Sequence, residues 1–357
     1  MSSVNGGNQN NPSNPAHGEV SLEQSTPAQP LTWGVLGTGM VASRAIVPAL
    51  SHAPWARLLA VASHDQQRAS ALASTHGVPK AYADYQALLD DPEIACVYIA
   101  LPNNEHRPWV ERAAVAGKHI LCEKPLGRNV AEIQAMRTIC ERAGVTLMEA
   151  LMYRFHPRIA RAQGMLLGGS IGEIELVQAS FCFQMADPNN YRLRHGAGGG
   201  VLLDVGGYCV HAASSFLHAE PLATQVFSRQ GRTGVDVTLA ATLDFPGGRT
   251  AQITCSFITS EYQRLTLVGT HGVLELPRAF TAWKGEDAPI LLSRDGGATE
   301  IIPCPPADPY ALMVEAFTRA ITQGAPVPYP LEESLATARI VEAMVHAART
   351  GRREAIA

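Results

Sequence analysis

The chain has no strong excess of either charge: 28 Lys and Arg stand against 32 Asp and Glu in 357 residues, a formal net charge of -4. That balance leaves no basic footprint for nucleic acid or an anionic membrane, so a small molecule is the expected partner. Long apolar runs are missing as well. Stretches such as Ile94 to Leu101 stop far short of the roughly 20 residues a spanning helix needs, and no membrane segment is expected. Paired cysteines are also absent. The seven cysteines, at 96, 122, 140, 182, 209, 255 and 304, are odd in number, widely spaced and without a CxxC pair. The pattern argues against a disulfide framework and a zinc site, and for free thiols in a reducing, cytoplasmic compartment, with no metal.

Aliphatic residues are scarce in the first thirty positions. Met1 to Pro30 is mostly Asn, Ser, Gly, Pro and Gln, cannot bury enough apolar surface to offset the entropy of ordering, and is expected to be a disordered polar tail. It has no charged stretch followed by an apolar one, so it does not read as a secretory signal. An arm that orders against a neighbouring subunit is the alternative. The remainder is longer than one hydrophobic core usually supports, which predicts two domains.

From Leu31 the pattern is strand, glycine turn, helix. Leu31 to Gly37 reads as a buried strand running into Gly37-Thr-Gly-Met-Val-Ala42, with a helix to about Ser51. Strands at Arg57–Ser63, Ala95–Leu101, His119–Cys122 and Val145–Met148 alternate with helices at Gln66–His76, Glu105–Ala116 and from Asn129 to about Ala143. Asn129 with Glu132 three residues on is a capping signal. Such alternation over residues 31–150 predicts a doubly wound parallel sheet of α/β class. Beyond Ala150 the pattern is a helix near Pro157–Leu167, a strand at Ile174–Gln184, a polar loop, the helix Val201–Leu217, and four or five strand-like runs between Ala223 and Leu276. Residues 151–357 are thus expected to form an α+β domain with a largely antiparallel open sheet. The closing helices Tyr310–Gln323 and Leu331–Arg349 pack on that sheet or back on the first domain.

Gly37-x-Gly39-x-x-Ala42 matches the dinucleotide fingerprint, in which glycines permit a tight turn and close backbone approach while a helix N-terminus meets the pyrophosphate. This predicts a cofactor loop of Gly37, Thr38, Gly39, Met40 and Val41. The end of the second strand meets the adenosine ribose, and there the chain has Ser63-His64-Asp65 with Arg68 one turn on. A hydroxyl and nearby cationic groups favour NADP(H); NAD(H) is the alternative, with Asp65 on a ribose hydroxyl.

Two further motifs carry chemistry. Glu123-Lys124-Pro125 follows a strand of the first domain, and Gly198-Gly-Gly-Val-Leu-Leu-Asp204-Val-Gly-Gly-Tyr208-Cys-Val-His211 opens a helix of the second. On a regular helix Asp204, Tyr208 and His211 share one face, with Leu202, Leu203 and Val210 pointing elsewhere. Taken in order, GxGxxA, Pro102-Asn103-Asn-Glu-His106, EKP and GGGxLxDxGxY resemble the glucose-fructose oxidoreductase, inositol dehydrogenase and MocA (Gfo/Idh/MocA) family over the whole chain beyond the tail. The tyrosine at 208, where inositol dehydrogenases carry histidine, resembles the branch holding dihydrodiol dehydrogenases, glucose-fructose oxidoreductase and some aldose dehydrogenases.

The resemblance implies that Lys124 lies beside the nicotinamide, that Pro125 is cis, and that Asp204 and Tyr208 complete a polar cluster around the substrate hydroxyl. It places Pro102, Asn103, His106 and Glu123 near the cofactor and implies a homodimer or homotetramer through the C-terminal sheet. The chemistry fits: Tyr208 is the expected acid/base, its phenol pKa lowered from about 10 by the Lys124 ammonium. Lys124 is then the electrostatic tuner and substrate anchor, and Asp204 a hydroxyl ligand. Arg154 and His211 are the further substrate candidates, ahead of Tyr153 and His156; Tyr191, Arg192 and Arg194 line the pocket mouth or are solvated. Each has a plainer reading: a loop lysine, a helix-dipole aspartate, core Tyr208 and His211, a capping His106. The expected activity is oxidation or reduction of a secondary alcohol of a sugar, polyol or cyclic diol. The rivals are an NAD-dependent glycosidase of the same fold and a non-catalytic nucleotide sensor.

Overall fold

The structure, a computed structural model, describes residues 30–281 and 285–356. The expectation for the polar tail therefore lies outside the described residues, apart from Pro30. Six parallel strands form the first sheet: β1 (Leu31–Leu36), β2 (Ala56–Ala62), β3 (Lys80–Tyr82), β4 (Cys96–Ile99), β5 (His119–Glu123) and β6 (Leu147–Ala150), in the order β3-β2-β1-β4-β5-β6. The short strand β3 lies outside the strands read from sequence. Helices α1 (Val47–His52), α2 (Gln66–His76), α3 (Tyr85–Leu89), α4 (Asn103–Val115) and α5 (Val130–Ala143) connect them. The helix ends follow local chemistry. Asp65 caps α2 through the Gln67 and Arg68 N–H groups, Asn129 caps α5 through Glu132 N–H, and Gly77 and Gly144 close the two helices in left-handed conformation.

The second half opens with α6 (Pro157–Leu167), β7 (Ile174–Gln184) and α7 (Gly207–Leu217). Its nine-stranded sheet also takes in β8 (Ala223–Gln230), β9 (Asp236–Asp244), β10 (Thr250–Ser256), β11 (Ile258–Gly269), β12 (Gly272–Pro277), β13 (Ile290–Arg294), β14 (Glu300–Ile302) and β15 (Glu354–Ala355). The pairing is antiparallel, as expected, except that β7 and β10 run parallel. The closing helices α8 (Pro309–Gln323) and α9 (Leu331–Thr350) do both things foreseen for them: α8 returns to the first sheet, with Phe317 5.7 Å from Trp33, while α9 reaches both α5 and β8.

All seven cysteines are free and buried. The helical run His195–Leu217 does have the length and apolar content of a membrane span, which the search for uninterrupted apolar stretches missed because glycines break it. Its most apolar window is 78 % buried inside the protein, the setting of a core helix.

The carboxyl ends of the first sheet set out the functional region. Gly37 follows β1, Ser63 follows β2, Pro102 follows β4, Lys124 follows β5 and Leu151 follows β6, and β1 and β4 flank the point where the strand order reverses, where open α/β sheets bind ligands. One buried cation shapes the opposite wall. Arg158, 1 % exposed, donates to the carbonyls of Pro277, Arg278 and Ala279 and so fixes the turn that packs Phe280 5.7 Å from the Tyr208 ring. Arg158→Met strips three carbonyls, that of Ala279 buried and those of Pro277 and Arg278 partly so, of their donor and should cost about 3 kcal/mol or more of stability. A melting temperature within experimental error of the parent would refute this clasp.

Candidate active site

A cleft of about 970 Å³ of open space runs along the carboxyl edge of the first sheet, lined by the Gly37–Ala42 turn, Ser63, Arg68, Tyr85, Pro102, Glu123, Lys124, Tyr191 and Arg192. Gly37 sits at φ +103°, and a Cβ there would lie 2.3 Å from the Ala100 carbonyl, so only glycine fits the turn. At Gly39 a Cβ would meet no protein atom within 4 Å, which leaves room for a pyrophosphate against the backbone. The residues present therefore fit a dinucleotide. At the ribose end the Thr38 hydroxyl lies 3.4 Å from Ser63 Oγ, and Arg68 reaches the Thr38 carbonyl at 3.5 Å.

Four expectations here need correction. Asp65 spends its Oδ1 on capping α2, accepting from Gln67 N at 2.9 Å and Arg68 N at 3.2 Å, and does not line the cleft. His64 is exposed beside the cleft, with its ring 4.2 Å from Tyr85, and it is Tyr85 that faces inward. Asn103 turns away to donate to the Gly198 carbonyl at 2.8 Å, tying the start of α4 to the GGG turn. His106 is neither at the cofactor nor a cap. Fully buried and kept neutral by that burial, it sits between the carbonyls of Leu101 at 2.9 Å and Pro125 at 2.8 Å and donates its single N–H to one of them, beside the EKP turn and the end of β4.

The peptide bond between Lys124 and Pro125 is cis, as the resemblance implied. Lys124 Nζ donates to Asp204 Oδ1 at 2.8 Å and to the Asp204 carbonyl at 2.7 Å. Arg192 Nε meets the same Oδ1 at 2.9 Å. Burial pushes the Asp204 carboxyl up, but Lys124 and Arg192 together outweigh it and hold the group below the usual carboxylate range. Arg192 is the functional residue that sequence reasoning left open, and its signal was position alone: a cation in the loop just before the GGG turn. Tyr191 also lines the cleft, whereas Arg194 is exposed and donates to the Asn189 carbonyl.

The segment carrying Asp204 and Tyr208 is not a regular helix. Leu202–Gly206 forms a π turn ahead of α7, so the register read from a regular helix fails. Asp204 and Tyr208 do border one small, partly open cavity behind Lys124, but Leu202 and Leu203 line that cavity too. The turn is anchored from outside. Asp236, on β9, accepts the Leu202 N–H at 2.8 Å, and Gly200, at φ +124°, has no room for a Cβ because Asp236 Oδ1 would lie 2.2 Å away.

Tyr208 is 6 % exposed, with Lys124 Nζ 5.2 Å from its ring centre. The expected downward tuning of its phenol does not occur. Burial pushes the group well above its ordinary value, nearby Tyr310, Glu123 and Asp204 add to the rise, and Arg192 pulls the other way. Lys124 gives its charge to Asp204 instead. Glu123 is buried beside it, accepting from Tyr98 at 2.5 Å.

His211 and Arg154 belong to another network. The Tyr153 hydroxyl and His211 Nδ1 are 2.6 Å apart, His211 Nε2 faces Glu333 at 3.2 Å, and Arg154 donates to the same Glu333 oxygen at 2.9 Å. Neither lines the cleft or the cavity behind Lys124, so the substrate contacts expected of them are replaced by a tie between α7 and α9. His156 is buried as the cap of α6.

The NAD-binding Rossmann domain of the Gfo/Idh/MocA oxidoreductases matches residues 31–151, and the family's C-terminal domain matches residues 159–275. The D-xylose 1-dehydrogenase (NADP(+)) 2 of Haloferax volcanii is 38 % identical over 323 residues, covering 90 % of this chain and 98 % of that protein. The chain belongs to the Gfo/Idh/MocA family. It is an NAD(P)-dependent oxidoreductase. The mouse trans-1,2-dihydrobenzene-1,2-diol dehydrogenase is 35 % identical, with 70 % of this chain and 75 % of that protein aligned. Among solved structures, a 3-ketoreductase from Actinomadura kijaniata in complex with NADP and TDP-benzene superposes with a TM-score of 0.84 at 32 % identity, covering 90 % of this chain and 98 % of that one. An aldose-aldose oxidoreductase from Caulobacter crescentus complexed with glycerol gives a TM-score of 0.85 at 28 % identity, over 92 % of this chain and all of that one.

Asp204 balances two cations in a setting from which water is largely excluded. Asp204→Asn should leave Lys124 and Arg192 uncompensated and lower stability by about 3 kcal/mol or more, read by chemical denaturation. The parent's share of this stability is present above the unfolded carboxyl value of about 3.9 and is lost as pH falls through the lowered folded value. A variant as stable as the parent at neutral pH would show that the triplet is not a constraint.

Proposed function

We propose that the chain is an NADP(H)-dependent dehydrogenase or reductase that moves a hydride between the nicotinamide and a secondary alcohol or carbonyl of a sugar, polyol or cyclic diol. The observation that carries the reading is the position of Lys124, which borders both the cofactor cleft and the cavity containing Asp204 and Tyr208. NADP is favoured over NAD because Ser63 and Arg68 face the ribose end while Asp65 is committed to its helix. The xylose dehydrogenase is named for NADP, and the 3-ketoreductase was solved with it. That reductase was also solved with a lysine or a tyrosine replaced, the two residue types at the centre of this site.

Bound NADP supplies or accepts the hydride. Lys124 anchors the substrate oxygen by charge, Asp204 fixes the lysine and accepts from a neighbouring hydroxyl, and Tyr208 exchanges the proton. A phenol raised by burial is protonated at neutral pH, so it is ready to donate to a carbonyl, whereas alcohol oxidation needs its deprotonated form. Absorbance at 340 nm with NADP and NAD against aldoses, inositols and cyclic diols should show turnover with NADP preferred. Oxidation should climb with pH without levelling below the ordinary phenol value of about 10. Tyr208→Phe and Lys124→Ala should each lower kcat by roughly 10² or more. Near-normal turnover in Tyr208→Phe would overturn its role.

Phe227 and Ile301, 71 % and 68 % exposed on β8 and β14, leave apolar surface on the second sheet. We assign that sheet to a homo-oligomeric interface in a cytoplasmic enzyme. Light scattering should give a dimer or tetramer that Phe227→Glu weakens, and a monomeric parent would refute the assignment.

A further inference from the structure

The cavity behind Lys124 borders Asp204 and Tyr208 but holds neither the cofactor nor the substrate in the reaction just described. It lies between the Lys124-Pro125 turn, the start of α7 and α9, with room for about two water molecules, too little for a sugar. Most of its wall is apolar, yet polar groups border it without sufficient partners. Tyr329 and Ser334 are fully or almost fully buried; Ser334 faces Glu149 and Tyr329 faces Thr337, but neither hydroxyl reaches its neighbour in good hydrogen-bond geometry. Glu149 borders the same space and accepts from Leu126 N–H at 3.1 Å. Poorly paired buried hydroxyls are costly, and ordered water with two to four polar partners is the usual remedy.

We propose that this cavity holds bound water linking Tyr208 and Lys124 to Glu149, and that Glu149 receives the proton released when the alcohol is oxidised. The proton step rests on the dehydrogenase reading above; the water site rests on the cavity alone. Oxidation sends the hydride to the nicotinamide and leaves the hydroxyl proton on Tyr208. The phenol O–H then breaks as a cavity water gains that proton, and the water passes one of its own to the Glu149 carboxylate. No electrons are exchanged in the relay, and reduction runs it backwards. With cofactor and substrate filling the cleft side of Lys124, the rear side is the way out. Thr337 lines both this cavity and the open depression around His211 and Glu333, which leads to solvent. Burial raises the Glu149 pKa and Glu123 adds to the rise, while Ser334, the Leu126 N–H and Lys124 pull it down, so its carboxylate takes a proton more readily than an exposed one would.

Two measurements on the full chain test this. A high-resolution crystal structure should show ordered water within hydrogen-bond distance of Tyr329 Oη and Ser334 Oγ; a dry cavity overturns the proposal. Glu149→Gln should lower kcat for alcohol oxidation by roughly tenfold, less than the ~10² that loss of a direct acid/base costs, with KM for NADP unchanged and a larger effect of D2O on kcat. Tyr329→Phe, which keeps the ring, should enlarge the D2O effect in the same way and serves if Glu149→Gln does not fold. An unchanged rate and D2O effect overturn the relay. If no alcohol is oxidised at all, the proposed function fails, and the water density alone decides the cavity.

Discussion

One carboxylate oxygen holds the two halves of this enzyme in register. Asp204 Oδ1 accepts from Lys124, at the end of a strand of the first sheet, and from Arg192, in the loop before α7. Burying three charges is costly in itself, and the arrangement persists because each cation also serves as a hydrogen-bond donor to the same group. Wherever Asp204 sits, the EKP turn and the wall of the cofactor cleft must follow. The π turn that carries Asp204 is in turn pinned by Asp236, 34 positions beyond the N–H it caps.

Around this triplet, polar contacts between the halves repeat the same fixing. Asn103 reaches Gly198, and Glu342 accepts the Val130 N–H at the start of α5. Groups that look like ligands in isolation are therefore spent on alignment, as His106 shows, packed between two backbone carbonyls. A cleft formed between two sheets needs such ties, because its catalytic groups come from both and small misplacement is costly to rate.

The doubly wound sheet, the glycine turn and the meeting of Lys124 with Asp204 were legible because each rests on local pattern: strand-helix alternation, a positive φ at position 37 that only glycine tolerates there, a short motif at a strand end. What the sequence hid lies where regular local pattern fails. His211 and Arg154 were misplaced because their partner Glu333 lies 122 and 179 positions away, where no periodicity reaches. Leu202 and Leu203 were turned to the wrong side because a π turn breaks the regular helical count. Tyr85 was missed because its helix of five residues is too short to leave a periodic signal.

The phenol of Tyr208 shows how the triplet also limits the chemistry. Proximity to an ammonium suggested a lowered pKa, and Lys124 is indeed close, yet a cation already paired with a buried carboxylate presents little net charge to a third group. Asp204 itself adds to the upward push. Loosening the lysine from Asp204 would leave more of Tyr208 as phenolate at neutral pH but would release the contact that aligns the two halves. The fold thus keeps a rigid site at the expense of phenolate at neutral pH, and a tyrosine so placed is a proton donor there before it is an acceptor.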